Sequence, residues 1–419
     1  MSGTLTNWAG NITFQARRLV APASVEELRE LVAGSRAVRA LGTRHSFNTI
    51  ADTAGDLVST ARLPRVLDID PRARTVTVSG GTRFGEMTGG LHEAGLALHN
   101  LGSLPHLSVA GACATGTHGS GDGNGTIASA VRAVTYVSGG GELVTTRRGD
   151  EDFPGSVVAL GALGVVTELT LGLVPAFDVQ QWVYEGLPMT ALRESFGEVM
   201  SAAYSVSLFT RWQGGAIDQV WLKRRVGGSG PAAGADRWFG ARRAGGPRHP
   251  VPGMAADACT PQGGLPGPSA LRLPHFRLEH TPSSGDELQS EYFVAREDAV
   301  AAFDALHAVR ESFAPHLRVG EIRSVAGDDL WLSPAQGRDS VAFHFTWLPR
   351  PEAVGRALKV IEEALTPFAA RPHWGKLFST APEALRGLYP DHGRFAELMK
   401  RRDPAGVFRN DFIARHFSL

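Results

Sequence analysis

At 419 residues the chain is too long for one ordinary core, so two domains are expected, with enough apolar surface to bury without metal or disulfide staples. Lys plus Arg and Asp plus Glu balance at 42 each, and no run of one sign stands out, which argues against nucleic acid or an anionic membrane and leaves a small molecule as the partner. Only Cys113 and Cys259 are present, fewer than a bridge-dependent secreted scaffold carries, so a reduced, cytoplasmic setting is expected.

The segment Met1 to Trp8 lacks a basic region followed by an apolar core, and no stretch of about 18 apolar residues follows, so neither export nor a membrane span is expected. Ser24-Val25-Glu26-Glu27 reads as a capping box before Leu28, Leu31 and Val32, with Gly34 as the stop. A short strand, Val38 to Leu41, runs into Gly42. Strands at Val66 to Ile69 and Thr75 to Val78 are joined by Asp70-Pro71-Arg72-Ala73-Arg74, a hairpin by its turn chemistry. A helix from Phe84 to Ala94 closes at Gly95. Beyond a glycine- and alanine-rich stretch, Gly111 to Gly125, a second hairpin pairs Val131 to Val137 with Glu142 to Thr146 across Gly139-Gly140-Gly141. Gly164 to Val174 is a β-branched run of the buried-strand type, ended by Pro175. This first part reads as α+β units in series and not as repeated βαβ.

From about Gln180 the texture changes. Strands at Val206 to Thr210 and Gln219 to Lys223 lead into a Pro/Gly/Ala-rich region, Gly227 to Pro268, expected to be a long surface connection. A strand at Gln289 to Val294, a helix over Ala299 to Phe313 and strands at Arg318 to Val325 and Ser340 to Leu348 follow. A helix near Glu352 to Ala370 precedes His373-Trp374-Gly375-Lys376, and Asp403-Pro404 opens the tail.

Three glycine-rich segments each follow a strand: Gly42-Thr43-Arg44-His45-Ser46, Gly116-Thr117-His118-Gly119-Ser120-Gly121 and Gly161-Ala162-Leu163-Gly164-Val165-Val166. Successive N–H groups in such turns form anion-binding concavities, so a pyrophosphate between two of them is the physical reading. None ends in Gly-Lys-Ser/Thr, and none sits in a βαβ setting with the dinucleotide fingerprint, which disfavours a nucleotide hydrolase.

Gly42-Thr43-Arg44-His45-Ser46-Phe47, Ser108-Val109-Ala110-Gly111, Thr115-Gly116-Thr117-His118-Gly119-Ser120-Gly121 and His373-Trp374-Gly375-Lys376 resemble, in order and spacing, motifs of the alditol and xylitol oxidases of the vanillyl-alcohol-oxidase flavoprotein superfamily. The aldonolactone oxidases are the relatives next out. The likeness runs from Asn7-Trp8-Ala9-Gly10-Asn11 to Asp403-Pro404. It implies an α+β fold: a two-part FAD-binding domain over 1–175, a substrate-binding cap with an antiparallel sheet over 176–370, and a segment, 371–419, returning to the active site. It also implies FAD bonded through the His45 imidazole to the flavin's 8α-methyl group, which raises the flavin's potential. Flavin contacts are implied for Leu41, Gly42, Thr43, Arg44, Ser46, Phe47, Ser103, Ser108, Gly111, Ala112, Cys113, Ala114, Gly116, Thr117, His118, Gly119, Val165, Val166 and His373. The superfamily usually has glycine where this chain has Arg44, and a side chain there disfavours positive φ, which bears on the path of the loop. Cys113 is expected to act as a small buried hydrophobe.

In the cap, a period of two places Glu321 and Arg323 on one face of their strand. It also places His344 and Thr346 opposite Phe343, Phe345 and Trp347. An acid, a guanidinium, an imidazole and a hydroxyl on one sheet face suit a ligand with several hydroxyls. The resemblance assigns polyol contacts to Ser103, Glu321, Arg323, His344, Thr346 and Lys376. It implies an oxidase that takes a hydride from a carbinol carbon to flavin N5 and returns electrons to oxygen, giving an aldose and peroxide, with a sugar-lactone oxidase or dehydrogenase as the alternative. His344 is the expected base, Glu321 the residue orienting Arg323, and Arg323 with Lys376 the stabilisers of the alkoxide. A small residue at Gly102 is expected to leave oxygen a path. Phe84 stands near a position where relatives place a tyrosine, so one hydroxyl contact is expected to be missing. His99 and His106 are read as structural, no metal is expected, and a monomer is the expected state.

Overall fold

A computed structural model describes residues 5–228, 234–280 and 286–417. The expected helix forms over Val25–Ala33: Ser24 accepts from the Glu27 amide, and Leu28 and Val32 are the buried stripe, as the apolar spacing requires. Both hairpins form. Leu67–Asp70 pairs antiparallel with Thr75–Ser79, and Val131–Val137 with Leu143–Arg147. Together with Val165–Gly172 between them they make a five-stranded antiparallel sheet. The helix Phe84–Glu93 ends before Gly95, which takes φ +73°, a conformation that costs glycine little.

Parallel pairing, which the sequence did not suggest, occurs in a three-stranded sheet of Arg18–Val20, Asp56–Ser59 and Val38–Leu41. The first of these strands is three residues of mixed polarity, too short to show alternation. Its pairing is set by the buried Asp56 carboxylate, which accepts from Arg17 and Arg18. The resulting crossover through Val25–Ala33 is a βαβ unit.

The centre of the chain builds a ten-stranded sheet. Its central strands run in the order Asp178–Pro188, Ala216–Arg225, Ser205–Thr210, Leu317–Val325, Ser340–Trp347 and Leu288–Ala295. One face is apolar: Ile322, Phe343, Phe345 and Trp347 pack with Trp212, Phe303 and Phe313 beneath the helices Ala299–Ala308 and Pro351–Leu365. The opposite face carries Glu321, Arg323, His344 and Thr346, the split a period of two requires.

Gly227 to Pro268 departs from the expected surface connection. Residues 229–233 of it lie outside the described residues. Arg237–Trp238 and Ala241–Arg243 extend the sheet, and Val251, Ala256 and Cys259 cover an apolar patch of Val183, Phe209, Trp221 and Val319 on the polar side. Its apolar residues are too few and irregularly spaced for a periodic signal, because they pack as a loop against a sheet already formed.

The tail is woven into the first part of the chain. Val407 accepts from the Val38 amide, Arg39 donates to the Phe408, Gly161, Leu160 and Ile50 carbonyls, and Asn410 donates to the carbonyls of Thr49, Ile50 and Asp52. The helices Pro382–Leu388, His392–Arg402 and Asp411–Phe417 complete the larger core. Among the described residues no helix is long and apolar enough to cross a membrane.

Phe345, wholly buried and stacked on Trp347 at 5.3 Å and Trp212 at 6.2 Å, anchors the apolar side of the sheet. Phe345→Ala is expected to lower stability by about 3–5 kcal/mol, read as a shift in the urea midpoint at unchanged slope.

Candidate active site

The loop after Val38–Leu41 carries His45 and is clamped from two sides. Asn7 and Asn11 donate to the Ser46 and Phe47 carbonyls, and the Trp8 amide donates to Arg44 O. From the other side Phe47 donates to Gly375 O, while Asn48 donates to Trp374 O and Lys376 O. Arg44 takes φ +65° despite its side chain, so the path glycine would favour is kept at a cost of order 1–3 kcal/mol, set against these clamps. Its guanidinium reaches Thr6 O. Trp8 stacks on the His45 ring at 5.2 Å. Burial, reinforced by His106 and Arg44, pushes the His45 imidazole down to about 4, so it is neutral, and its buried Nδ1 has no hydrogen-bond partner among the described residues.

Beside this loop lies a cavity of about 450 Å³. Leu41, Gly42, Thr43, Arg44, His45, Ser46, Phe47, Ser103, Ser108, Gly111, Ala112, Ala114, Thr117, His118, Val166 and His373 line it, as do Glu321, Arg323, His344, Thr346 and Lys376. Gly42 and Gly111 pack tightly against Ser108: a Cβ on either would lie 2.8 or 2.9 Å from its hydroxyl. Cys113, Gly116, Gly119 and Val165, expected at the flavin, do not line the cavity. Cys113 and Val165 are core residues, Gly116 backs onto Pro334 and Gly119 onto Leu101 and Asn100. Burial pushes the Cys113 thiol up to about 12, so it is inert. Phe84 is buried in the larger core, His99 lies 3.5 Å from Gly125 O and His106 donates to Leu278 O.

The polar wall centres on a residue that sequence reasoning missed. Glu291, on Leu288–Ala295, is Cα partner of His344 and wholly buried. It accepts from Arg323 Nη2 at 2.5 Å and Lys376 Nζ at 2.7 Å, with His118 Nε2 at 3.2 Å. Burial pushes this carboxyl up, yet Lys376, Arg323 and His118 outweigh it and hold Glu291 well below the usual carboxylate range. Glu321 lies farther from Arg323, 3.6 Å to Nε, so the guanidinium is oriented chiefly by Glu291 and not, as expected, by Glu321. Glu321 instead accepts from His275 Nε2 at 2.8 Å. Burial, reinforced by Lys376, holds His344 well below the usual histidine range, and its Nε2 lies 3.2 Å from the Gln289 side-chain oxygen. The alternation Gln289, Glu291 along a strand already expected at Gln289 to Val294 was the signal for both.

The fold and this cavity define an FAD-linked oxidoreductase scaffold. Two solved cholesterol oxidases share it, one from B. sterolicum and one described as solvent-stable, each with a TM-score of 0.77. They are 15% and 17% identical, covering 99% of this chain and 96% and 97% of theirs. Residues 16–147 match the FAD binding domain family, and residues 286–416 match D-arabinono-1,4-lactone oxidase. An alditol oxidase from Streptomyces sp. is 50% identical over 416 residues, 99% of both chains. The L-gulono-1,4-lactone dehydrogenase of Mycobacterium tuberculosis is 30% identical over 99% of both, and the L-gulonolactone oxidase of Bos taurus 27% over 98% and 97%. The chain belongs to the alditol oxidase group of the vanillyl-alcohol-oxidase superfamily, related to the aldonolactone oxidases.

The residues present fit FAD. Gly42, Gly111 and the His45 loop line one cavity, and the unpartnered His45 Nδ1 is a neutral nucleophile.

Glu291→Gln removes the charge shared by Arg323 and Lys376, and a loss of about 3–5 kcal/mol is expected at pH 7. Because the folded-state pKa of Glu291 is depressed, this stabilisation is complete above the unfolded value of about 4.3 and fades as pH falls below it. Urea titrations at pH 7 and pH 4 are expected to show the gap between wild type and variant narrowing on the acid side.

Proposed function

We propose that the chain is an FAD-dependent oxidase that converts an alditol of the xylitol or sorbitol type, with oxygen, to an aldose and hydrogen peroxide. The observation that carries this reading is the convergence of Glu321, Arg323, His344, Thr346 and Lys376 on the cavity that also holds His45. The alditol oxidase relative, similar along the whole chain, supports it. FAD, held by the loops at Gly42 to Phe47 and Ser108 to Thr117 and bonded through His45, supplies the hydride acceptor and the site of reoxidation. The family resemblance assigns Gly102, next to the cavity-lining Ser103, to oxygen access.

The protein's own groups bind and move protons. Ser103, Thr346 and Glu321 grip hydroxyls, and Lys376 and Arg323 stabilise negative charge as the carbinol oxygen loses its proton. Taking Gln289 as the acceptor from His344 Nε2–H leaves Nδ1 as the unprotonated nitrogen, and the imidazole is the base. Its depressed pKa makes it a weak base that is always in the accepting form, so the two cations beside it must assist by acidifying the alcohol. A lactone-oxidising reading on the same scaffold draws on the match of residues 286–416. A substrate panel of alditols and aldonolactones separates the two.

Acid denaturation of the yellow protein is expected to leave the flavin on the polypeptide in wild type and to release it from His45→Ala; peroxide is expected with polyols. Free flavin from wild type ends the linkage, and a panel of polyols without peroxide ends the oxidase reading. His344→Ala is expected to slow anaerobic flavin reduction by about 10²–10⁴-fold with little change in polyol affinity. The wild-type rate is expected to show no inflection at about pH 6.5, where an ordinary histidine titrates. A rate unchanged in the variant removes His344 from the reaction.

A further inference from the structure

Beside Glu321 lies a buried pair that the chemistry above does not use: His275, at the wall of the same cavity, and Lys223, which does not line it. Lys223, on Ala216–Arg225, has no exposed surface. Its ammonium donates to the Leu273 and Pro274 carbonyls and to His275 Nδ1 at 3.0 Å. These are three acceptors for three protons, and an ammonium has no lone pair to offer, so Nδ1 must accept. Burial, with Lys223 beside it, pushes the His275 imidazole down to about 4, so the ring is neutral and carries its one proton on Nε2. That proton goes to Glu321 Oε1. The ring is held edgewise by Phe209 and Trp221, with centroids 5.4 and 5.2 Å away. The same short segment also ties down the neighbouring loop: the His275 and Phe276 amides both donate to Ser103 O.

We propose that Lys223 and His275 are positioning residues for the substrate site, Lys223 fixing the Nε2–H tautomer of His275, and His275 holding Glu321 as a carboxylate with Oε2 left for a substrate hydroxyl. The segment Leu273 to Phe276 thereby sets two substrate contacts at once, Glu321 through the imidazole and Ser103 through the backbone. Three charged or titratable groups act on Lys223: burial pushes its ammonium down to about 7, opposed by Glu321 and Cys259 and aided by Arg323. This inference rests on the polyol-oxidising reading above.

Three variants of the holoenzyme test it at pH 6, where Lys223 is charged. His275→Leu is expected to raise KM for xylitol about tenfold, the scale of one charge-assisted hydrogen bond, with kcat within about twofold and flavin content unchanged. His275→Gln keeps an acceptor toward Lys223 and a donor toward Glu321, and is expected to recover most of that loss. Lys223→Met is expected to raise KM about threefold. In protein labelled with 15N-histidine, the resonance lost in His275→Leu is expected to report the Nε2–H tautomer, and Lys223→Met to convert it to a mixture. An Nδ1–H tautomer in wild type, an unchanged KM in His275→Leu, or equal impairment of His275→Gln and His275→Leu overturns the proposal. A wild-type enzyme inert toward every polyol overturns the reading it rests on, and the tautomer measurement still decides the relay.

Discussion

The site depends on one buried carboxylate. Glu291 is the negative charge that allows the buried Arg323 and the largely buried Lys376 to sit side by side, since each cation alone would bear a desolvation cost of several kcal/mol. The compensation is incomplete for Lys376, whose ammonium remains depressed by burial, whereas Arg323, flanked by Glu321 as well, is raised despite burial. The two cations therefore differ in character. One is a permanently charged fork, and the other is a weaker, more easily deprotonated donor.

That charge cluster is delivered by three adjacent antiparallel strands, Leu317–Val325, Ser340–Trp347 and Leu288–Ala295, whose registers place Glu321, His344 and Glu291 side by side. The aromatic reverse of the sheet supplies the rigidity. Phe343, Phe345 and Trp347 interlock with Trp212, so a slip of one residue would bury the charges and expose the rings. The His45 loop achieves its position differently, by accepting strain at Arg44 and being clamped by Asn7, Asn11 and the Gly375 turn.

Much of this was legible in the linear chain. Alternation around Glu321 and His344 showed both faces of the sheet because a strand's side-chain period is geometric. The cap at Ser24, where the Glu27 carboxylate closes on the Ala23 amide and not on that of Ser24, and the hairpins at Asp70 to Arg74 and Gly139 to Gly141 showed element boundaries because turn and cap chemistry is local. Glu291 was overlooked although it lies on an expected strand. An acid in alternation carries no mark of its partners, and those partners are 32 and 85 residues away. Lys223 and His275 were harder still, the first within an ordinary strand and the second in a region with no periodicity. The expectation for Gly227 to Pro268 failed for the same reason: loop packing against a sheet obeys no repeat.

The sequence by itself determined the elements, the two-sided character of the central sheet and, through its motifs, the resemblance to flavin-linked alditol oxidases. Each of these follows from neighbours along the chain or from a spacing that the backbone geometry converts directly into a face. Only the tertiary structure decided that Glu291 and not Glu321 closes on Arg323, that Cys113 and Val165 turn away from the cavity, and that a connecting segment reaches back to hold Glu321. These outcomes depend on which buried charges find one another when distant strands pair. A buried charge is satisfied by proximity in space, which no local pattern encodes.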